Sequence, residues 1–155
     1  MPVELTDAQK NAIIQSWTIP AMNPIDAGEI IFYKFFEKYP HNHQMFQKFK
    51  NTPLHELKGT PVFRHHASIV INTFSSTVDC LLLKGGWEHI PEIWKNIAAD
   101  HNTRNISKKS FVELRDIVVQ VLKEVCHLKP EQEEAWTILL DYVYESLLST
   151  LKLEA

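Results

Sequence analysis

The sequence predicts an all-α fold, and three observations carry that prediction. Apolar residues recur at intervals of three and four in several long segments, as they do along one face of an α-helix. The 8 prolines stand at the edges of these segments, where turns and the first turn of a helix tolerate them. Alternation of apolar and polar residues, which would indicate strands, is scarce. The chain is therefore expected to consist of helices joined by short turns.

Length and composition favour one domain spanning residues 1–155. A chain of 155 residues with 45% hydrophobic content can bury a core without disulfides. The formal net charge of -3 excludes the basic surface that nucleic acid or an anionic membrane requires. Cys80 and Cys126 lack a CxxC spacing and suit reduced thiols. The N-terminal residues show no basic segment followed by an apolar one, so we expect a cytoplasmic protein with neither secretion signal nor membrane span.

The first helix is expected to begin after Thr6, because Thr6 and Gln9 form the pattern of a capping box. Ile13 and Trp17 follow at helical spacing. The helix is expected to end before Pro20, since proline interrupts helical hydrogen bonding.

The second helix is expected to carry Asn23 as its cap and Pro24 in its first turn. It runs towards Tyr39 and Pro40. Residues 41–59 are polar and lack sustained periodicity, so turns and short helical pieces are expected there.

A long helix is expected to open at Thr60 and Pro61 and to end at Gly85 and Gly86. Its apolar face reads Phe63, Ala67, Val70, Phe74, Val78 and Leu81. The steady spacing of three and four along this face is that of an amphipathic helix.

Three further helices complete the expected order. Pro91 starts a short helix in which Ile97 and His101 share one face. Ser107 caps the next helix, and Pro130 opens the last.

Histidines are the residues most able to carry chemistry, and 8 are present. Five lie in polar loop sequence or near helix ends and are expected to be solvated or to cap helices: His41, His43, His55, His89 and His127. His66 and His101 instead lie on apolar helix faces. Either one alone is more often a core histidine than a ligand. Together, with aromatic residues upstream, they make a slot for a flat apolar macrocycle with iron at its centre.

Further residues stand around the two histidines in a characteristic order. They are Trp17, Gly28, Phe36, Pro40 and Phe46, with the segments 63–67 and 97–101. In this order and spacing, over nearly its whole length, the chain resembles the globin family, and the intracellular globins of insects more than vertebrate myoglobin. The resemblance implies a globin fold of about seven to eight helices around a haem pocket, with haem b (iron protoporphyrin IX) as cofactor.

The resemblance implies that His101 is the proximal haem ligand, with its Nε2 bonded to iron. That nitrogen must be unprotonated, so the other ring nitrogen is expected to donate its proton to a nearby carbonyl or hydroxyl. Phe46 matches the phenylalanine that stacks on the porphyrin, with a plain core role as the alternative. The other residues expected to contact the cofactor on this side and around it are Phe49, Ile97, Ile106, Phe111 and Leu114.

His66 matches the distal histidine, whose N–H can donate to bound oxygen a hydrogen bond worth ~1–3 kcal/mol in a dry pocket. Val70 and Phe32 would complete an apolar distal pocket, and core packing alone is their alternative role. Some insect globins of this kind use the distal histidine as a sixth iron ligand, whereas others remain pentacoordinate. We expect the unliganded ferrous iron to be at least partly hexacoordinate, with His66 as the sixth ligand.

Two features complicate the assignment of His66. His65 adjoins it and competes for the distal role, but shifting the assignment would turn the apolar face of the helix away. His66 and His101 are 35 residues apart, farther than in vertebrate myoglobin. The excess is expected in a turn at Leu83–His89, whose glycines could let the distal helix slide towards the iron.

A third departure concerns the haem propionates. Many insect globins carry a basic residue one turn beyond the distal histidine, where this chain has Ile69. The remaining candidates for a propionate contact, or alternatively for ordinary solvated charge, are Lys48, Arg64 and Arg104.

The resemblance implies reversible oxygen binding for storage, transport or buffering, without enzymatic turnover. The expected partners are oxygen and other diatomic gases such as CO and NO, and the chain is expected to be a monomer or a weak homo-oligomer. A redox enzyme such as a nitric oxide dioxygenase is an alternative, but the sequence has no dinucleotide motif and would need a separate reductase. A gas or redox sensor and a haem-free helical bundle are further alternatives.

Overall fold

The computed structural model describes residues 4–154, and its framework is helical throughout. No strand occurs in that range, so the all-α prediction is confirmed. Residues 1–3, on which the expectation of no secretion signal partly depends, lie outside the described residues. The helical segments are α1 (Asp7–Met22), α2 (Pro24–Lys38), a 3-10 helix (Pro40–Met45), α3 (Leu54–Leu57), α4 (Pro61–Cys80), α5 (Gly86–Asn102), α6 (Lys108–Cys126) and α7 (Pro130–Thr150).

Most helices begin where the capping pattern predicts. The Thr6 hydroxyl accepts the Gln9 N–H at 3.1 Å in a complete capping box. Ser107 accepts the Ser110 N–H at 3.2 Å in the same way. Pro24 opens α2, as predicted, although Asn23 makes no side-chain cap there. Side-chain caps and first-turn prolines are local devices, which is why sequence alone locates them.

Two prolines lie inside helices, contrary to the sequence prediction. Helix α1 continues past Pro20 to Met22, and the Pro20 ring is buried. Helix α5 begins at Gly86 rather than Pro91. Pro91 removes the N–H that would bond the Trp87 carbonyl, and the Tyr142 hydroxyl on α7 donates to that carbonyl instead, at 3.0 Å.

The connection between α4 and α5 lies earlier in the chain than the turn expected at Leu83–His89. Helix α4 ends at Cys80, not at Gly85 and Gly86, and residues 81–85 form the turn. Gly85 adopts a left-handed conformation with φ +75°. A Cβ on Gly86 would overlap the Cys80 carbonyl, so the turn is closely packed rather than loose. This removes the support that a flexible turn gave to sliding of the distal helix.

Helices α2 and α4 approach each other closely at Gly28. A Cβ there would lie 2.5 Å from the carbonyl oxygen of Ala67 and 2.8 Å from a side-chain carbon of Ile71. Only glycine admits this separation. The contact places Phe32 on α2 beside His66 on α4, with ring centroids 4.6 Å apart. Among the helices of residues 4–154, none combines the length and the apolar character needed to cross a membrane.

Candidate functional site

An apolar cavity lies among α2, α4, α5 and α6, and both key histidines line it. The space between its walls, counted together with the part open to solvent, is about 690 Å³. Nine of the ten residues predicted to contact a cofactor line this cavity: Phe32, Phe46, His66, Val70, Ile97, His101, Ile106, Phe111 and Leu114. The structure therefore brings together side chains that lie far apart in the sequence.

The cavity opens outwards through a wider cleft that shares His66, His101 and Phe46 with it. Phe49, the tenth predicted residue, lines this outer cleft and is buried. Its ring stacks on Phe46, with centroids 5.5 Å apart and planes inclined by 23°. Phe49 thus supports Phe46 from the side of the opening.

His101 lies in the last turn of α5 and has one ring nitrogen already engaged. Its Nδ1 is 2.7 Å from the carbonyl oxygen of Ile97, one turn earlier. A carbonyl can only accept, so Nδ1 carries the proton and Nε2 is left with a free lone pair. The Phe111 ring meets the imidazole edge-on at 5.0 Å and restricts its orientation. A fixed tautomer with a free Nε2 is the state that a metal ligand requires.

His66 lies among aromatic rings on the opposite side of the cavity. Besides Phe32, its nearest rings are Phe46 at 5.1 Å and Phe49 at 5.9 Å. Burial, and to a smaller extent the nearby His101, lower the pKa of His66 to about 4. At neutral pH the imidazole is therefore uncharged, with one N–H donor and one lone pair.

His65 is exposed and lines only the outer cleft. The neighbouring position that reaches the inner cavity is His66. The geometry therefore favours His66 over His65 for any role inside the cavity.

The sequence prediction that His43 is solvated or caps a helix was wrong. It is buried, and its ring stacks on Phe36 at 5.2 Å. Its Nε2 is 2.7 Å from the Phe49 carbonyl oxygen, to which it donates. His43 thus fixes the segment that carries Phe46 and Phe49. His127 does occupy the C-cap of α6, as expected.

Sequence reasoning missed several residues at the inner end of the cavity. Phe74 and Trp94 meet edge-on at 5.2 Å, and Trp94 donates its indole N–H to Thr77 at 2.9 Å. Phe74 lies one turn after Val70, so helical spacing could have identified it. The other missed lining residues are Phe35, Asn42, Met45, Ile69, Thr73 and Ser110.

Asn42 is the most unusual of the missed residues. It is 1% exposed, and its amide nitrogen faces the Tyr39 carbonyl at 3.3 Å and Glu113 at 3.2 Å. Its Oδ1 is the one buried side-chain oxygen or nitrogen without a partner among the described residues. No local pattern distinguishes Asn42 from a solvated loop residue.

Two of the three propionate candidates lie at the opening. Lys48 and Arg104 line the outer cleft. Arg64 turns away and pairs with Asp26 at 2.9 Å and Glu29 at 3.3 Å on α2.

The chemistry of the cavity fits a haem. It has a free Nε2 on one side, a neutral imidazole on the other, aromatic walls between them, and cations at the opening that could pair with the haem carboxylates.

Comparison with known proteins leads to the same family. The globin family model matches residues 29–147, which is most of the chain. The chain belongs to the globin family. As a globin it is a haem protein, and the family resemblance and the fold expected from the sequence are confirmed.

Insect globins are prominent among the relatives of this globin. Globin CTT-VI of Chironomus thummi thummi is 29% identical over 150 residues, which cover 95% of this chain and 88% of that protein. Globin CTT-I/CTT-IA of the same organism is 30% identical over 139 residues, covering 88% and 83%. The hexa-coordinate haemoglobin of Drosophila melanogaster, solved in a study of cyanide binding and haem cavity transitions, is 32% identical with a TM-score of 0.91, covering 96% of each chain.

Proposed function

We propose that this globin, as a single domain, holds haem b through His101 Nε2 and binds oxygen reversibly beneath His66. The observation that carries the proposal is the 2.7 Å contact from His101 Nδ1 to the Ile97 carbonyl. It directs the only lone pair of the ring to Nε2, in a cavity with a second, neutral imidazole. The apolar wall between the two histidines matches a flat apolar cofactor.

Ferrous haem, when bound, supplies the metal atom that takes up a diatomic gas. The chain supplies its surroundings. The cavity that His66 lines has an apolar, largely aromatic wall, and a hydrogen bond donated by its N–H is stronger there than in solvent. Phe46 provides a flat face for the macrocycle. Lys48 and Arg104 at the opening provide positive charge for the propionates.

We also propose that His66 is the sixth ligand in the unliganded ferrous protein. The similarity to the Drosophila haemoglobin described as hexa-coordinate supports this, as does the low pKa of His66, which keeps a lone pair available at neutral pH. An external gas then binds only the fraction of molecules in which His66 has moved away. The measured affinity is then the affinity of this open form multiplied by the fraction of molecules that adopt it.

The test is an absorption spectrum of the purified ferrous protein without gas, followed by an oxygen equilibrium curve. We expect one haem per chain, a low-spin six-coordinate spectrum and full release of oxygen when its pressure is lowered. A protein that binds no haem contradicts the whole proposal. A high-spin five-coordinate spectrum contradicts only the sixth ligand, and conversion to ferric haem without oxygen release contradicts reversible binding.

A further inference from the structure

Glu29 is a carboxylate on α2 whose side chain is only 8% exposed. Burying a carboxylate is costly unless it is paired and hydrogen-bonded, so its partners show what it holds in place. Its Oε2 accepts the backbone N–H of Gly59 at 2.6 Å. Its Oε1 accepts from the Arg64 guanidinium at 3.3 Å. Glu29 is thus bonded to two points on the chain leading into α4.

These two points lie on either side of the start of α4. Gly59 stands in the turn before the helix and is left-handed, with φ +83° and no atom within 4 Å of where a Cβ would be. Arg64 lies in the first turn of the helix. Leu57 and Phe63, on either side of this turn, are buried in the core, and the Glu29 carboxylate adds a direct hydrogen bond from α2 to the Gly59 backbone. The carboxylate therefore ties the start of α4 to α2 at two points.

His66 lies close to this clamp. It follows Arg64 by two residues on the same helix, and a helix rises only about 1.5 Å per residue. Gly28, the residue before Glu29, sets how closely α2 and α4 approach, through its contact with Ala67. The close approach limits separation of the helices, and the hydrogen bonds of Glu29 limit sliding of one along the other.

We propose that Glu29 is a positioning residue for His66: its carboxylate clamps the start of α4 and so fixes where the His66 imidazole stands in the cavity. The inference rests on the proposed role of His66 as a hydrogen-bond donor to bound oxygen. Loosening the clamp shifts α4, lengthens that hydrogen bond and speeds oxygen release. Carbon monoxide depends little on the hydrogen bond, so its release is insensitive to the clamp.

Three variants test the proposal. Glu29→Ala removes both hydrogen bonds of the carboxylate, and Glu29→Gln keeps an oxygen that can accept from Gly59. Asp26→Ala is the matched control, because Asp26 also pairs with Arg64 but is exposed, while the Gly59 N–H bonds Glu29. Amide hydrogen exchange is measured along the whole chain, and the dissociation rates of oxygen and carbon monoxide are measured on the ferrous protein.

We expect Glu29→Ala to speed exchange about tenfold within residues 59–70, as loss of a hydrogen bond to a charged group would. Exchange in α6 should stay unchanged. Oxygen dissociation should accelerate several-fold while carbon monoxide dissociation does not. Glu29→Gln should recover much of the difference, and Asp26→Ala should resemble the wild type.

Two results would overturn the proposal that Glu29 positions His66. Exchange that accelerates equally along the whole chain would make Glu29 a contributor to global stability only. Faster exchange confined to residues 59–70 with an unchanged ratio of oxygen to carbon monoxide release would show that the clamp does not position His66. A protein without haem would contradict the proposed function instead, and exchange alone would then decide whether Glu29 holds α4.

Discussion

Trp87 and Tyr142 stack with ring centroids 4.0 Å apart and planes inclined by only 4°, and the Tyr142 hydroxyl donates to the Trp87 backbone carbonyl. The pair joins α5 to α7 at the carbonyl that Pro91 leaves without a helical donor. It therefore holds the helix that carries His101 against the last helix of the chain. Stacking and hydrogen bond come from one side chain, which allows them to be separated by mutation.

Tyr142→Phe should keep the stacked ring and lose the hydrogen bond. The buried Trp87 carbonyl is then unpaired, which should lower the free energy of unfolding by about 1–3 kcal/mol. Pro91→Ala restores a backbone N–H at the helical position, so the same tyrosine change should cost less in that background. Denaturant unfolding of all four proteins measures the coupling. Equal losses in both backgrounds would show that Tyr142 does not replace the donor missing at Pro91.

His101→Ala should abolish firm haem binding. No other imidazole lines the inner cavity on the α5 side, so nothing can replace the lost Nε2. The haem content and ferrous spectrum of the purified variant check this, with the exposed His89→Ala as control. A variant with normal haem content and an unchanged spectrum would contradict the proximal assignment.

Phe46→Ala should leave haem coordination intact and speed haem loss. The substitution removes a flat apolar wall without removing a ligand, so transfer to an acceptor protein should accelerate by about tenfold or more. Val62→Ala, at an exposed position of the outer cleft, is the control. Haem transfer at the wild-type rate would mean that Phe46 is not the stacking residue.

His66→Leu should bind carbon monoxide faster and more tightly than the wild type. The change removes a competing sixth ligand, and carbon monoxide gains little from the lost hydrogen bond. His65→Leu, one residue away but exposed, should leave carbon monoxide binding unchanged. Flash photolysis measures both rates. Wild-type rates in His66→Leu would leave His66 as a hydrogen-bond donor only.

Asp116 should make stability depend on acid pH. It accepts from Lys38 at 2.8 Å and Tyr39 at 2.7 Å, and these hydrogen bonds hold the pKa of its carboxyl below the usual 3.8. The unfolded chain therefore binds a proton first, so this stabilisation is present at neutral pH and is lost as the pH falls below about 4. Asp116→Asn should lower stability at pH 7 by at most about 1 kcal/mol, because the site is half exposed.

Thermal unfolding of the Asp116→Asn variant and the wild type between pH 7 and pH 3 measures this difference. The two curves should converge towards the acid end. A difference that stays constant over the whole range would show that Asp116 acts by packing rather than by charge.

Much of the fold was predictable because its signals are local. Thr6, Thr60 and Ser107 cap helices through their own neighbours, and such patterns are visible in a short stretch of sequence. The predicted end of α1 and the predicted start of α5 were wrong, because these boundaries depend on residues that are distant in the sequence. Nothing near Pro91 shows that Tyr142 will supply its missing donor.

The residues of the candidate site likewise divide into those that a local sequence pattern predicts and those that depend on distant partners. His66 and His101 were identifiable because each stands on an apolar helix face, and the structure brings both to one cavity. The pairing of Arg64 could not be predicted because its partners, Asp26 and Glu29, lie on another helix. The buried state of His43 likewise depends on a stacking partner, Phe36, that only the folded chain provides.

Gly28 does not line the cavity, yet its lack of a side chain sets how closely the two helices beside His66 approach each other. Any larger residue there would push against the Ala67 carbonyl and Ile71 and displace α4 from α2. Because His66 adjoins Ala67 on α4, that displacement would also draw His66 away from Phe32 on α2. The width of the cavity at His66 thus depends on a helix crossing, at a residue that does not line the cavity itself.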